Sequence, residues 1–363
     1  MSRVMGFIHD QLVAIGHSVD YLCFDDIPVS LSGRLSRFIF PLLVCRRVLL
    51  ARKAGIPYDL INVHEPAAAA VALVKRLVGS PIVVVTSHGV EKRGWELALS
   101  ERRFGYGGPS AKTLLAYPLT SLWQSSVGLR YADHIFCLNE EDRRYLTRWL
   151  NLDEHQITRI HPASDPIYSA TAEGRDYKRA NRLLFAGTWL KRKGIDDLIH
   201  SFCILAERYP RLELEILGGG QPEEDILSSF PQSLRSRITC RKTATEAETA
   251  AAFASANIYV LPSLFEGTPL TLIEAMMSGM PIVTTRTCGM KDVIRNNENG
   301  LLVSIRSPAE IVSAVERLLA DEALRTQLGR AARADALENY VWERVAEPVR
   351  LAYERLCPTS PGY

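Results

Sequence analysis

Glu266 and the residues after it form the segment best suited to chemistry on a ligand. An apolar run ends just before Glu266 and Gly267, and Thr268 followed by Pro269 predicts the N-cap and first turn of a helix. Backbone amides at such a helix start bind phosphate or diphosphate groups. Because a carboxylate accepts hydrogen bonds and repels phosphate, Glu266 beside this anion site indicates recognition of sugar or ribose hydroxyls. The alternative is a glutamate that only stabilises the helix dipole.

Three adjacent cations form a second candidate group. Lys191, Arg192 and Lys193 follow the turn glycine Gly187 at the end of another apolar run. Cations at this position suit a diphosphate, since an anion relieves their mutual repulsion, and a solvated basic turn is the alternative interpretation. Gly218 ends a further apolar run and lets the backbone approach a nucleotide, although a run of glycines is more often only a turn.

Two histidines also follow apolar runs in the first half of the chain. His64 and His88 are each more often structural than catalytic when taken alone, but both stand at predicted strand ends. Gly89 beside His88 permits close approach of a substrate. His88 is therefore the stronger catalytic candidate.

Short apolar runs alternate with longer amphipathic stretches, which predicts an α/β fold of parallel strands joined by helices. Strands are predicted at residues 18–24, 60–63, 82–86, 134–138, 157–161, 182–186, 212–217, 237–240, 258–261, 282–285 and 301–303. These strands form two doubly wound sheets, which implies a ligand cleft between their carboxyl ends.

The chain length of 363 residues also favours two domains, at roughly 150 residues each. The first is predicted at residues 1–165 and the second at residues 182–340, with a polar linker at residues 166–181. A C-terminal helix at residues 341–357 is expected to dock on the first domain.

Composition excludes several function classes. With 43 basic and 41 acidic residues, overall charge does not predict a nucleic-acid partner. Seven scattered cysteines without a paired motif argue for reduced thiols and against a zinc site, so no metal is expected. No apolar run approaches the roughly 20 residues that a membrane span needs, and the N-terminus lacks the pattern of a signal peptide. A cytoplasmic localisation follows as an expectation.

Taken together, these segments resemble the retaining glycosyltransferases of family 4, whose GT-B architecture places two Rossmann-like domains around a cleft. The most specific match is a pair of glutamates separated by seven residues, Glu266 and Glu274. Supporting blocks follow in the family's order: FAGTWLKRKGIDDLI, LEILGGG, ANIYVLPS, SGMPIVTT and NGLLV.

The resemblance implies a metal-independent hexosyltransferase without a cofactor, active in polysaccharide or glycoconjugate biosynthesis. It would move a sugar from a nucleotide diphosphate sugar, held by the second domain, to a hydroxyl of a glycan, lipid-linked or small-molecule acceptor on the first. The implied catalytic residues are Glu266 at the donor sugar, Lys193 at the diphosphate and His88 near the transferred sugar. The implied donor-binding residues, with Glu274 at the ribose, are Gly187, Thr188, Lys193, Gly218, Gly267, Thr268, Pro269, Leu270 and Glu274.

Two departures from the family pattern stand out. Thr188 occupies a position where the family commonly has arginine, and Lys191 or Arg192 could replace that cation. The family also opens with a strand and a glycine-rich loop, whereas this sequence begins within the helix that follows them. The first domain is therefore expected to lack its first strand. Either the given start is internal to a longer chain or the protein is a truncated relative.

The sequence is also compatible with other functions. A catalytically impaired binding or scaffold protein is the first alternative, and a nucleotide-sugar epimerase of the same fold is the second. Separately, residues 34–53 interleave cations with apolar residues, which suggests a peripheral contact with the inner face of a membrane. The alternative for that segment is a helix packed on the sheet. Its cations are Arg34, Arg37, Arg46, Arg47, Arg52 and Lys53.

Overall fold

The computed structural model describes residue 6 and residues 9–10, 12–14, 16–23, 26–27, 36–79 and 81–358. The chain divides into two compact units. The first unit comprises Met1–Ile160 and Ala346–Tyr363, and the second comprises His161–Val345.

The first unit is built on a four-stranded parallel sheet of order β1-β2-β3-β4. Its strands are β1 Leu60–His64, β2 Ile82–Thr86, β3 His134–Cys137 and β4 Ile157–Arg159. Val83, Val84 and Val85 of β2 are fully buried. A continuous apolar run of this kind is typical of a strand that is covered on both faces.

Helices cover this sheet. They are α1 Ser36–Lys53, α2 Ala69–Val78, α3 Glu91–Arg103, α4 Ala111–Tyr117, α5 Trp123–Arg130 and α6 Glu140–Leu150, and a π-helical turn, Pro118–Leu122, joins α4 to α5. Small residues bring α2 and α5 together, because a Cβ atom at Gly128 would lie 2.9 Å from the Cβ of Ala68.

The second unit is built on a six-stranded parallel sheet of order β10-β9-β8-β5-β6-β7. Its strands are β5 Arg182–Ala186, β6 Glu213–Leu217, β7 Ile238–Arg241, β8 Ile258–Leu261, β9 Ile282–Thr285 and β10 Leu301–Val303. The chain runs outward from β5 to β7 and then returns to place β8 on the other side of β5. In doubly wound sheets, ligands bind at the carboxyl ends of strands where the order reverses in this way.

The helices of the second unit alternate with its strands, and the last helix continues into the first unit. They are α7 Pro166–Ala170, α8 Ile195–Arg208, α9 Glu223–Ser228, α10 Glu246–Ser255, α11 Leu270–Met277, α12 Cys288–Val293, α13 Pro308–Ala320, α14 Glu322–Asn339 and α15 Trp342–Leu356. Near the end of α15, Val349 and Ala352 join a buried cluster with Val84 and Phe136 of the first sheet. Asn62 donates a hydrogen bond to the hydroxyl of Tyr353, with the two atoms 2.6 Å apart.

Every strand in the structure begins within one residue of a predicted strand, but the strand predicted at residues 18–24 does not form. Residues 18–23 are irregular, and Phe24 lies outside the described residues. The Asp20 carboxylate instead accepts hydrogen bonds from Tyr58 and from Arg47 of α1. Side-chain contacts, and not a sheet ladder, hold this segment.

The prediction of a linker at residues 166–181 is wrong, because this segment packs into the second unit. Tyr168 of α7 is fully buried in the core of that unit. The Arg175 guanidinium donates to the backbone oxygens of Ser278, at 2.6 Å, and Phe253. Tyr177 donates to the backbone oxygen of Gly279 at 2.8 Å. The polar composition that suggests a linker in fact satisfies buried carbonyl groups.

The peripheral membrane contact predicted at residues 34–53 can involve only one face of α1, because the opposite face is buried. Phe40, Val44 and Val48 of α1 are buried in the core of the first unit. Arg47 is paired with Asp20, and Arg34 lies outside the described residues. Within the part of the chain that the structure describes, no helix is long and apolar enough to span a bilayer.

Replacing Arg175 with alanine is expected to destabilise the second unit. The change leaves backbone carbonyls of the second unit without their donor, at about 1–3 kcal/mol for each unsatisfied group. We expect a loss of about 3 kcal/mol or more in the free energy of unfolding. Urea denaturation, monitored through hydrogen exchange of the β8 and β9 backbone amides, measures this loss in the free energy of unfolding.

Arg179→Ala is the matched control for this prediction. The Arg179 side chain is 82% exposed and lies 3.7 Å from Asp176, so its loss should change the stability by less than about 0.5 kcal/mol. Equal stability of the Arg175 and Arg179 variants would show that residues 166–181 behave as a linker after all.

Candidate functional site

Two loops meet where the strand order of the second sheet reverses. One follows β5 and the other follows β8, and the backbone N–H of Leu264 donates to the carbonyl of Arg192 at 2.8 Å. Gly194 has a φ of +71°, and a Cβ atom there would lie 1.9 Å from the carbonyl oxygen of Pro262. Only glycine permits this approach, which fixes the two loops against each other.

Glu266 is the centre of the site formed by these loops. Its Oε1 atom lies 2.6 Å from Lys193 Nζ and 3.2 Å from Arg192 Nη1. The hydroxyl of Ser263 donates to the same oxygen at 3.3 Å. No described residue donates a hydrogen bond to Oε2 of Glu266. Three protein donors thus hold one carboxylate oxygen and leave the other as an acceptor for a ligand hydroxyl.

Glycines shape the floor of the site around Lys193. Gly187 has a φ of +152°, and a Cβ atom there would lie 3.6 Å from the Nζ atom of Lys193. The backbone N–H of Trp189 donates to the carbonyl of Gly219 at 2.8 Å, so the glycine run after β6 lies against the loop after β5. Gly218 at the start of that run has a φ of +69°. Thr188, which replaces the arginine of the family pattern, is exposed beside this run.

The helix after Glu266 begins one residue later than predicted. Pro269, and not Thr268, is the N-cap of α11, and Leu270 is its first residue. Thr268 is buried, and a Cβ atom at Gly289 would lie 2.6 Å from the Cα of Thr268 and 2.2 Å from the carbonyl of Gly267. Close packing of α12 on the loop therefore replaces the predicted side-chain cap.

Glu274 lies within α11 and is 5% exposed. Beneath the helix, the buried hydroxyl of Tyr259 donates to Thr271 at 2.8 Å. Burial raises the pKa of Tyr259 far above its usual range, and the negative charges of Glu274 and Glu266 add to that effect. Both glutamates of the predicted pair are thus buried, Glu274 within α11 and Glu266 in the loop that follows β8.

His88 lies in the first unit and is hydrogen bonded to a second histidine. His64 Nδ1 and His88 Nε2 are 2.6 Å apart, and the two ring centres are 4.8 Å apart. Desolvation lowers the pKa of His64 to about 4, so its ring is neutral at pH 7. One neutral ring therefore donates its N–H to the other, and this bond fixes the orientation of His88.

A buried glutamate next to His64 is a functional candidate that sequence reasoning missed. Glu65 Oε1 accepts hydrogen bonds from the Ser125 hydroxyl and, at 3.2 Å, from the backbone N–H of Glu91 at the start of α3. Its Oε2 atom is buried and has no hydrogen-bond partner among the residues that the structure describes. Burial raises the pKa of Glu65 to about 7. The available signal was a carboxylate just after a predicted strand, a position that an ordinary turn residue can also occupy.

Substituting Glu65 with glutamine is expected to change how stability depends on pH. In the wild type the folded pKa is about 7 and the unfolded value is 4.5, so the folded state binds more protons between these values. The contribution of Glu65 therefore leaves the wild type most stable below pH 4.5, and this stability is lost as the pH rises towards 7. Glutamine has no such loss, and Glu65→Gln should gain up to about 3 kcal/mol relative to wild type between pH 5 and pH 8. Chemical denaturation at each pH measures this difference.

Glu154→Gln, an exposed carboxylate of the same unit, is the control and should leave the pH profile unchanged. Parallel profiles for the wild type and Glu65→Gln would mean that Glu65 titrates normally.

Metal ligands are not grouped in the described residues. No cluster of three or more histidine, cysteine, aspartate or glutamate side chains there could hold a metal ion. The positive charge of the second unit's site comes instead from Lys193 and Arg192.

The second unit has a doubly wound parallel sheet, and its charged loops lie where α/β proteins of this class bind their ligands. Solved structures show the same fold. The chain superposes on sucrose-phosphate synthase from Thermosynechococcus elongatus with a TM-score of 0.73 and 22% identity, over 92% of this chain and 81% of that one. It superposes on HepE from Anabaena, solved with UDP, with a TM-score of 0.66 and 15% identity, over 89% and 84% of the two chains. The architecture of the two units is GT-B.

The Glycosyl transferases group 1 profile matches residues 171–335, and the Glycosyltransferase Family 4 profile matches residues 1–167. The two matches cover most of the chain, which belongs to the glycosyl transferases group 1 family.

Curated relatives span both halves of the chain. The chain is 26% identical to the phosphatidyl-myo-inositol mannosyltransferase of Mycobacterium leprae over 337 residues, which are 92% of this chain and 83% of the relative. It is 29% identical to the D-inositol 3-phosphate glycosyltransferase of Streptomyces bingchenggensis over 234 residues. That match covers 59% of this chain and 51% of the relative, so the chain spans about half the length of this relative.

Proposed function

We propose that the protein is a retaining glycosyltransferase that moves a sugar from a nucleotide diphosphate sugar to a hydroxyl of a glycan, lipid-linked or small-molecule acceptor. The observation that carries this proposal is the Glu266 carboxylate, with Oε1 held by Lys193 and Arg192 and Oε2 left as an acceptor. A donor sugar linked to a diphosphate needs both features side by side, hydroxyl acceptors for the sugar and cations for the phosphates. Family membership and the UDP bound to HepE support the choice of donor class.

The chain's own residues supply the charge that the reaction requires. The bond between the anomeric carbon and the diphosphate oxygen breaks, and the acceptor oxygen bonds to the same face of that carbon. The acceptor proton passes to the departing diphosphate. Lys193 Nζ stabilises the negative charge that develops there, and the N-terminus of α11 adds its positive dipole end. With this charge in place, the transfer is proposed to proceed without a metal ion or a cofactor.

Binding of nucleotides, four diphosphates and the monophosphate CMP, is the first test of the proposal. UDP, GDP, ADP, CMP and dTDP are added in turn, and the melting temperature is recorded for each. A ligand at about 100 times its Kd stabilises the folded state by roughly 2.7 kcal/mol. One selective diphosphate should raise the melting temperature, and NMR of the product formed from the matching donor sugar should show the donor's anomeric configuration. An inverted product would contradict the retaining mechanism.

Lys193→Ala is expected to slow transfer with little loss of folding. Removing a charged group that faces the leaving diphosphate costs roughly 2–4 kcal/mol of transition-state stabilisation. Steady-state kcat/KM with the donor sugar measures the loss. Arg208→Ala, which removes an exposed cation paired with Glu316 at 2.8 Å, is the control and should keep the wild-type rate. Near-native turnover of the Lys193 variant would remove this residue from the mechanism.

Two alternative functions give different outcomes in the same assays. Thr188 at the family's arginine position favours a binding protein that has lost transfer, and such a protein would bind a diphosphate but form no product. A nucleotide-sugar epimerase would change the donor sugar in the absence of any acceptor. Product formation that depends on an acceptor hydroxyl supports the transferase over both alternatives.

A peripheral membrane contact is a further part of the proposal. The outward face of α1 exposes Leu42, Leu49 and Leu50, at 63%, 46% and 52%. Arg46 and Lys53 are exposed on the same face, at helical spacing from these leucines. An apolar stripe flanked by cations suits an anionic membrane surface. The inner leaflet presents such a surface to a cytoplasmic protein.

The triple variant L42Q/L49Q/L50Q is expected to lose binding to vesicles of phosphatidylcholine and phosphatidylglycerol. The substitutions remove the apolar area that would enter the headgroup region, at about 25 cal/mol per Å². Co-sedimentation measures the bound fraction. The control, L115Q/L119Q, changes leucines that are 72% and 73% exposed on another surface of the same unit. Equal sedimentation of the two variants would show that α1 has no specific role.

A further inference from the structure

Arg192 and Lys191 are neighbours in sequence, but their side chains belong to different surroundings. Arg192 Nη1 donates to Glu266 Oε1 at 3.2 Å and to the carbonyl of Phe265 at 3.4 Å. Lys191 Nζ instead lies 3.9 Å from Asp196 at the start of α8, and its side chain is 64% exposed. The sequence leaves both cations as replacements for the arginine that Thr188 displaces, and the structure brings only Arg192 to the glutamate.

The backbone fixes Arg192 in this position. Its carbonyl accepts the hydrogen bond from Leu264, and the next-but-one residue, Gly194, touches Pro262. The turn that carries Arg192 is therefore anchored to the loop that carries Glu266 at two points. A side chain on an anchored turn has less freedom to lose when it binds a ligand.

The charges around Glu266 are unbalanced towards the positive. Two cations, Arg192 and Lys193, share the single oxygen Oε1, so the cluster keeps one excess positive charge. Lys193 is 11% exposed and Arg192 is 49% exposed, which places Arg192 on the solvent side of the cluster. The Nε and Nη2 groups of Arg192 donate to no acceptor of the described protein. A guanidinium with these donors left over can bind two oxygens of a phosphate together.

We infer that Arg192 is the second diphosphate-binding cation of this protein and takes the role left by Thr188. Glu266 orients it together with Lys193, so one carboxylate positions both cations and keeps its other oxygen for the sugar. This inference rests on the proposed function, because it assigns a residue to the diphosphate of the same donor.

Binding of UDP, GDP, ADP and dTDP to the full chain tests the inference by isothermal titration calorimetry. With the diphosphate that binds the wild type, Arg192→Ala should weaken the affinity by about 10- to 100-fold, the effect of losing charged hydrogen bonds. Lys191→Ala should change it by less than about twofold. Arg192→Lys keeps the charge but loses the paired donors, and should fall between the wild type and the alanine variant.

A rescue variant separates binding from folding. Thr188 is exposed beside Gly220, and the double variant T188R/R192A restores a cation from the position where the family has arginine. It should recover most of the affinity that Arg192→Ala loses. Because Arg192 is half exposed, the melting temperature of each unliganded variant should match that of the wild type.

The outcomes distinguish the inference from the proposed function. A wild-type chain that binds none of the four diphosphates overturns both. A wild type that binds one of them, with Arg192→Ala within about twofold of it or with an equal loss in Lys191→Ala, overturns the role of Arg192 alone. A loss confined to Arg192→Ala and restored by T188R/R192A supports it.

Discussion

The contact between Gly194 and Pro262 is the constraint on which the second unit's site depends. β5 and β8 are adjacent in the sheet although more than 70 residues separate them in sequence, and the loops after them would diverge without a direct contact. Because Gly194 has no side chain, its Cα reaches the Pro262 carbonyl, and Lys193 comes within 2.6 Å of Glu266. The arrangement of charges is therefore a consequence of backbone packing. The protein's own backbone packing thus holds the cations beside the carboxylate, and fixed charges of this kind are what electrostatic stabilisation of a transition state requires.

The sequence predicted most of the fold and part of the site, for separable physical reasons. Parallel strands that are buried on both faces have continuous apolar sequences, so β5, β8 and β9 could be located from short apolar runs between longer amphipathic stretches. The placement of Lys193 and Glu266 in one site was predicted because both follow the carboxyl ends of strands, whereas their direct ion pair was seen only in the structure. The segment at 166–181 was misread because Arg175 looks the same in a sequence whether it bonds to water or to buried carbonyls. The strand at 18–24 failed for a related reason, since a strand needs a partner that local sequence does not specify.

Candidate functional residues that are defined by their surroundings in the fold were the hardest to identify from the sequence. Glu65 carries no motif, and it stands out only through its burial next to Ser125 and the start of α3. The choice between Lys191 and Arg192 was likewise open, because side chains on consecutive residues of a turn point in different directions that only coordinates reveal. Motif spacing thus located the donors and acceptors of the site, and the fold decided which of them meet.

The route of α15 has a consequence for synthesis of the protein. The second unit is one continuous stretch, His161–Val345, whereas the first unit is completed by residues from 346 onward. Val349 and Ala352 cover Val84 and Phe136, so that face of the first sheet is open while the ribosome is still translating the second unit. The first unit therefore completes its core only after residues that follow the second unit have been made. During that interval the nascent chain exposes apolar surface of β2 and β3, the kind of surface that chaperones bind.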